Sequence, residues 1–157
     1  LVNPTRPAFQ LMGVYDPELC RPMAETLDLL GCSRAMVVHG SGLDELAVHG
    51  PSTVVELNGG TVMERTVTPE DAGLERHPLQ ALRGGGLEEN AAWLRGLLAG
   101  DGSKAHNDAV ALNAGAIAYV AGRADSLRDG ASAAQELLAS GELIGRFNRF
   151  VEVSRGA

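Results

Sequence analysis

The stretch from Phe9 to Val38 constrains the fold of this chain most. An apolar run, FQLMGVY over residues 9–15, is followed by Asp16-Pro17-Glu18, by apolar residues at Leu19, Met23, Leu27 and Leu30, by Gly31, and by a second apolar run, Ala35–Val38. Asp16 offers an N-cap, Pro17 a preset φ at the first helical position, and Glu18 an acid in the first turn, where unpaired amide dipoles favour negative charge. Spacings of four, four and three put the four apolar side chains on one helical face, and Gly31 suits the left-handed conformation that ends a helix. Strand, helix and strand in about thirty residues form a βαβ unit, whose crossover lays its strands parallel.

The texture then changes. Ser52–Leu57 and Thr61–Val67 flank Asn58-Gly59-Gly60, the mark of a β-hairpin, with Val54, Leu57, Val62 and Val67 as its apolar positions. Residues 68–89 read as irregular: TPEDAGL as a capped single turn, Gly84-Gly85-Gly86 as a connector. The triple glycine lacks the preceding strand and the following Lys-Ser/Thr of a phosphate loop. Helices are expected over Glu88–Ala99, with Ala91, Leu94, Leu97 and Leu98 on one side, and over Ser126–Ser140 and Leu143–Ser154. Another is expected over Asp108–Val120, where DAVALNAGAIAYV is apolar all round and so reads as fully buried. The expected fold class is α/β: a mixed, mostly parallel sheet that carries a β-hairpin and is flanked by helices.

A length of 157 residues favours one domain, and with aromatics at only 4% its core must come from Ala, Val and Leu. The net charge of -7 argues against a nucleic-acid partner or an anionic membrane surface. No apolar run approaches the ~20 residues of a membrane span, and LVNPTRPAF shows neither a basic leader nor an h-region. Cys20 and Cys32 lack metal-type spacing and read as reduced core thiols, which implies a cytoplasmic location. Without an initiator Met, the chain reads as a piece of a longer polypeptide.

One motif carries candidate chemistry. In MVVHGSGLDE, residues 36–45, an apolar strand ends at His39, the backbone passes through Gly40 and Gly42, and Asp44 and Glu45 follow side by side. Ligands of parallel α/β sheets bind outside the carboxyl ends of the strands, where this stretch lies. Mg2+ takes one or two protein carboxylates and completes its shell with water and substrate phosphate, so the pair suits a phosphate-bridging ion. The same spacing is equally that of a helix start, with Asp44 as cap and Glu45 solvated. His39 is either a general base or metal ligand, or a ring hydrogen-bonded locally. Asp108, Asn107 and Asn113 read as a cap and a core amide, and Arg76, His77 and Arg83 as surface residues. No nucleophile elbow, Cys–His pairing or Walker loop is present.

Several segments together resemble one family, the anthranilate phosphoribosyltransferases: LVNPTRP, LMGVYDPEL, MVVHGSGLDEL, VTPEDAGL, LRGGGLEENA and NDAVALNAGAIAYVAGRADSLRDG, in that order over essentially the whole chain. The resemblance implies transfer of phosphoribose from 5-phosphoribosyl 1-pyrophosphate to the amine of anthranilate, in tryptophan biosynthesis, with Mg2+ as cofactor. It also implies that Asp44 and Glu45 are the carboxylates that hold metal on the pyrophosphate, Glu45 shared between two ions. The family's Gly-Thr-Gly-Gly-Asp, Asn-x-Ser-Thr and Lys-His-Gly-Asn segments, and the arginine for the anthranilate carboxylate, are not in this sequence. By this resemblance residues 1–157 are the C-terminal portion of the α/β domain, without the N-terminal helical domain and the diphosphate-loop half. The substrate-binding and remaining catalytic residues are then expected upstream of Leu1, the dimer contact lies in the N-terminal helices, and the chain alone is inactive. Asn107 stands where many members carry Arg, which puts the polar bond at that helix start in question. Two other readings stay open: an enzyme akin to pyrimidine nucleoside phosphorylases, and a non-catalytic interaction domain that complements a separate chain.

Overall fold

The computed structural model describes residues 4–156; Leu1, Val2 and Asn3 of LVNPTRP lie outside them. Strands β1 (Phe9–Gly13), β2 (Arg34–His39), β3 (Ser52–Asn58) and β4 (Thr61–Val67) form one sheet in the order β1-β2-β3-β4. The β1–β2 pair is parallel, as the βαβ reading requires, with Met12 opposite Val37. The β2–β3 and β3–β4 pairs are antiparallel, so the sheet is mixed and its parallel part in the described residues is this one pair.

Helix α1 (Cys20–Leu29) is the crossover. It is entered through a single 3-10 turn, Pro17–Leu19, whose first free amide, Glu18 N–H, donates to Asp16 Oδ1 at 3.0 Å. The buried face of α1 is Cys20, Ala24 and Leu27, flanked by Leu19 and Met23. Leu30, expected on that face, is half exposed, because the turn that ends at Gly31 (φ 84°) has already left the helix.

β2 shows why the run AMVV carries no polar alternation. Ala35 and Val37 enter the core cluster under α1, while Met36 and Val38 enter the cluster on the opposite face. A strand covered on both faces is apolar at every position. The second face is covered by α3 (Lys104–Val120) and α4 (Leu127–Ser140), through Leu112, Ala116, Val120, Leu127 and Ala131. A third cluster of Leu97, Ala111 and Leu138 ties in α2 (Leu87–Leu98), and Leu143 adds α5 (Leu143–Ser154).

In the hairpin, Asn58 still pairs with Thr61, so the two turn residues are Gly59 and Gly60, at φ 55° and 83°. Positive φ at both positions is the primed-turn geometry that matches strand twist. Two helical expectations are corrected. On α2 only Leu97 is buried, and Leu87, Trp93 and Leu94 stand exposed. Helix α3 is not buried all round, since Val110 and Ile117 are 42% and 56% exposed along one stripe.

Candidate functional site

The acid pair sits where the sequence places it, at the carboxyl ends of the parallel strands, and glycines are what let it come that close. Gly13 ends β1, and a Cβ there would overlap the Asp44 carbonyl. A Cβ on Gly40 would overlap the Glu45 carbonyl and crowd Ala47. The backbone of both acids therefore rests against the two strand ends, in contact only glycine permits.

Gly40 and Leu43 exchange both backbone hydrogen bonds, at 2.8 and 3.1 Å, and close a tight turn on Ser41 (φ 49°) and Gly42 (φ 97°). His39 locks this turn. Gly42 N–H donates to His39 Nε2 at 3.1 Å, so Nε2 carries a lone pair and the ring proton lies on Nδ1. That Nδ1–H donates to Val14 O at 2.9 Å. With both ring nitrogens engaged, the locally bonded reading of His39 holds, and neither nitrogen is free to take a metal or a proton from a substrate.

No helix starts at Asp44. Residues 44–51 run without regular structure into β3, so the helix-cap reading of the pair is overturned. Beyond the pair, Leu46 is buried, its N–H donates to Asn113 Oδ1 at 3.0 Å, and its carbonyl accepts from Asn113 Nδ2 at 3.0 Å. One residue further, Ala47 N–H donates to the buried Ser52 Oγ at 2.9 Å. The acids themselves are exposed. Glu45 also borders a cavity of about 860 Å³ lined by Trp93, Leu94, Val110, Asn113 and Ile117. Desolvation by partial burial, then the neighbouring Asp44 charge, raise the Glu45 carboxyl above its usual range. A repulsion maintained between two carboxylates is relieved by a cation. Among the described residues no three His, Cys, Asp or Glu side chains gather into a cage. The donor set thus fits an ion that shares its shell with water and phosphate, and does not fit a resident structural metal.

Other expected residues move. Asp108 is not a cap: Ser103 caps α3, with Ser103 Oγ accepting from His106 N–H at 3.3 Å. Asp108 is buried, and accepts from His77 Nε2 at 2.7 Å, Gln135 Nε2 at 2.7 Å and Lys104 Nζ at 3.0 Å. Burial pushes its carboxyl up, but the hydrogen bonds from His77, Lys104 and Gln135 outweigh it and hold the group below the ordinary carboxylate range. His77, expected at the surface, is thereby drawn inward. Its backbone N–H also donates to Val48 O at 2.8 Å. Arg76 and Arg83 are exposed as expected. Asn107 Nδ2 donates to Gly102 O at 3.2 Å, but its buried Oδ1 has no partner, so half of the polar bond at this helix start is missing. Asn113 is a core amide, but a spacing rule could not show that it grips the loop behind the acids.

The chain is 54% identical over 155 residues to the anthranilate phosphoribosyltransferase of Sorangium cellulosum, covering 99% of this chain and 44% of that protein. The crystal structure of anthranilate phosphoribosyltransferase from Thermus thermophilus superposes with a TM-score of 0.80 at 50% identity, over 89% of this chain and 42% of the other. A variant of the Saccharomyces cerevisiae enzyme solved with Mg bound gives 0.82 at 25% identity, over 95% and 44%. The chain therefore spans less than half the length of the relatives it matches. Residues 1–144 match the α/β domain of the glycosyl transferase family, and the chain belongs to that family.

Proposed function

We propose that this chain carries the metal-facing wall of an anthranilate phosphoribosyltransferase site, in which phosphoribose passes from 5-phosphoribosyl 1-pyrophosphate to the amine of anthranilate. The observation that carries the reading is the acid pair, seated on Gly13 and Gly40 at the strand ends, anchored on both sides and lacking a third protein ligand among the described residues. Asp44 and Glu45 would hold Mg2+, which neutralises charge on the departing pyrophosphate. The residues of this chain contribute position rather than proton transfer. His39 fixes the turn before the acids, and the glycine contacts fix their height above the sheet. A breaking glycosidic bond separates a cationic ribose carbon from an anionic leaving group, and donors already in place stabilise that separation without reorganising. The similarity to enzymes of this name at about half identity supports the substrate pair.

The test is a chimera in which this chain replaces the matching part of the Sorangium cellulosum enzyme, with loss of anthranilate fluorescence as readout. Asp44→Asn and Glu45→Gln are each expected to cut the Mg2+-dependent rate about a hundredfold or more. An Mg2+ dependence unchanged in both variants would refute the metal role.

A further inference from the structure

We infer that Asn113 is a positioning residue for the acid pair, acting through the backbone of Leu46. This rests on the proposed metal role of Asp44 and Glu45. Its carboxamide makes three bonds: Oδ1 accepts Leu46 N–H at 3.0 Å, and Nδ2 donates to Leu46 O at 3.0 Å and to Ala109 O at 3.0 Å. Two of the three pair with both polar groups of one residue, as a neighbouring strand would, 67 positions away in sequence. The third returns to Asn113's own helix, one turn back, and fixes the orientation of the amide. Only a carboxamide can do this. A carboxylate would face two carbonyls with no proton to give, and an apolar side chain would leave the Leu46 N–H and carbonyl without their partner.

The position of the clamp gives it its consequence. The turn before the acids is fixed at Gly42 by His39, and the segment after them is fixed at Leu46 by Asn113. Asp44 and Glu45 lie between these anchors. The side chain of Leu46 is 1% exposed and belongs to the same core cluster as Leu112, so the second anchor is tied to the rigid body of α3. Both Asn113 and Glu45 line the cavity, which places the clamp beside the carboxylate it steadies. With the clamp cut, the backbone after Glu45 is held to the helix by packing alone, and the two carboxylates spend less time at the separation one ion requires.

The experiment measures Mn2+ binding in the presence of 5-phosphoribosyl 1-pyrophosphate by electron paramagnetic resonance, in the chimera that carries this chain in the Sorangium cellulosum enzyme, with thermal unfolding and circular dichroism of each variant alongside. Asn113→Asp and Asn113→Ala are expected to weaken this Mn2+ binding about tenfold while the fold is retained. Folded variants that bind Mn2+ as the unsubstituted chimera does would overturn the inference and leave the metal role standing. No Mn2+ binding by the unsubstituted chimera in the presence of 5-phosphoribosyl 1-pyrophosphate would overturn both. If the variants do not fold, hydrogen exchange of the Leu46 amide in the unsubstituted chimera decides: slowing on saturation with Mn2+ and 5-phosphoribosyl 1-pyrophosphate supports the clamp, and an unchanged rate overturns it.

Discussion

Gly13 and Asp108 each carry a consequence that their residue type alone does not state. Gly13 reads in the sequence as one position of an apolar strand, yet its missing Cβ leaves the space filled by the Asp44 carbonyl. Gly13→Ala is expected to destabilise the chain by ~1–3 kcal/mol, the usual cost of overpacking, and, in the chimera, to weaken Mn2+ binding in the presence of 5-phosphoribosyl 1-pyrophosphate. Thermal unfolding with a Mn2+ titration measures both effects. Asp108 makes a prediction about acid. Its carboxyl is held below the ordinary range, so its stabilising contribution is complete above the unfolded-state value near ~4 and disappears as pH falls through the lower folded-state value. Asp108→Asn weakens the hydrogen bonds that hold His77, Lys104 and Gln135, and is expected to cost ~1–3 kcal/mol at neutral pH. Its unfolding temperature should also vary less than the parent's below about pH 4. An acid-unfolding profile identical to the parent's would assign that pH dependence to other carboxylates.

At the scale of elements, periodicity was a good guide where one face meets one neighbour. The crossover helix, the hairpin and the strand β2 were legible because an apolar pattern with period 3.6 or 2 reports burial on a face. The pattern could not tell a buried face from one awaiting cover. That is why the nearly unbroken apolar run of Asp108–Val120 predicts a helix buried all round while its Val110–Ile117 stripe is exposed. The contact between α3 and α4 was also invisible in one dimension. A Cβ on Gly115 would overlap the backbone of Gly130 and Ala131, and one on Gly130 would overlap Gly115, so the helices touch backbone to backbone. Gly115→Ala must push them apart and should lower stability by at least ~1–3 kcal/mol, although alanine is the better helix former. Chemical denaturation of the variant measures this, and a stabilised variant would show that the helices can separate freely.

For the whole molecule, the exposed apolar side chains Trp93 and Leu94 of α2 and Val110 and Ile117 of α3 line the cavity that Glu45 borders. The chain covers 44% of the length of its Sorangium cellulosum relative. Isolated, it is expected to self-associate in sedimentation velocity and to leave anthranilate fluorescence unchanged when 5-phosphoribosyl 1-pyrophosphate and Mg2+ are added. Steady consumption of anthranilate by the chain alone would show that its own residues suffice. The covalent order of residues determined the βαβ unit, the hairpin and the placement of Asp44-Glu45 after a parallel strand, because each depends on neighbours within a few turns of chain. Only the tertiary structure decided that no helix follows the acids, that both nitrogens of His39 are engaged, and that Asn113 holds Leu46 from 67 residues away. Those outcomes depend on which backbone groups are left unpaired once the sheet and α3 have packed, and local sequence carries no record of that.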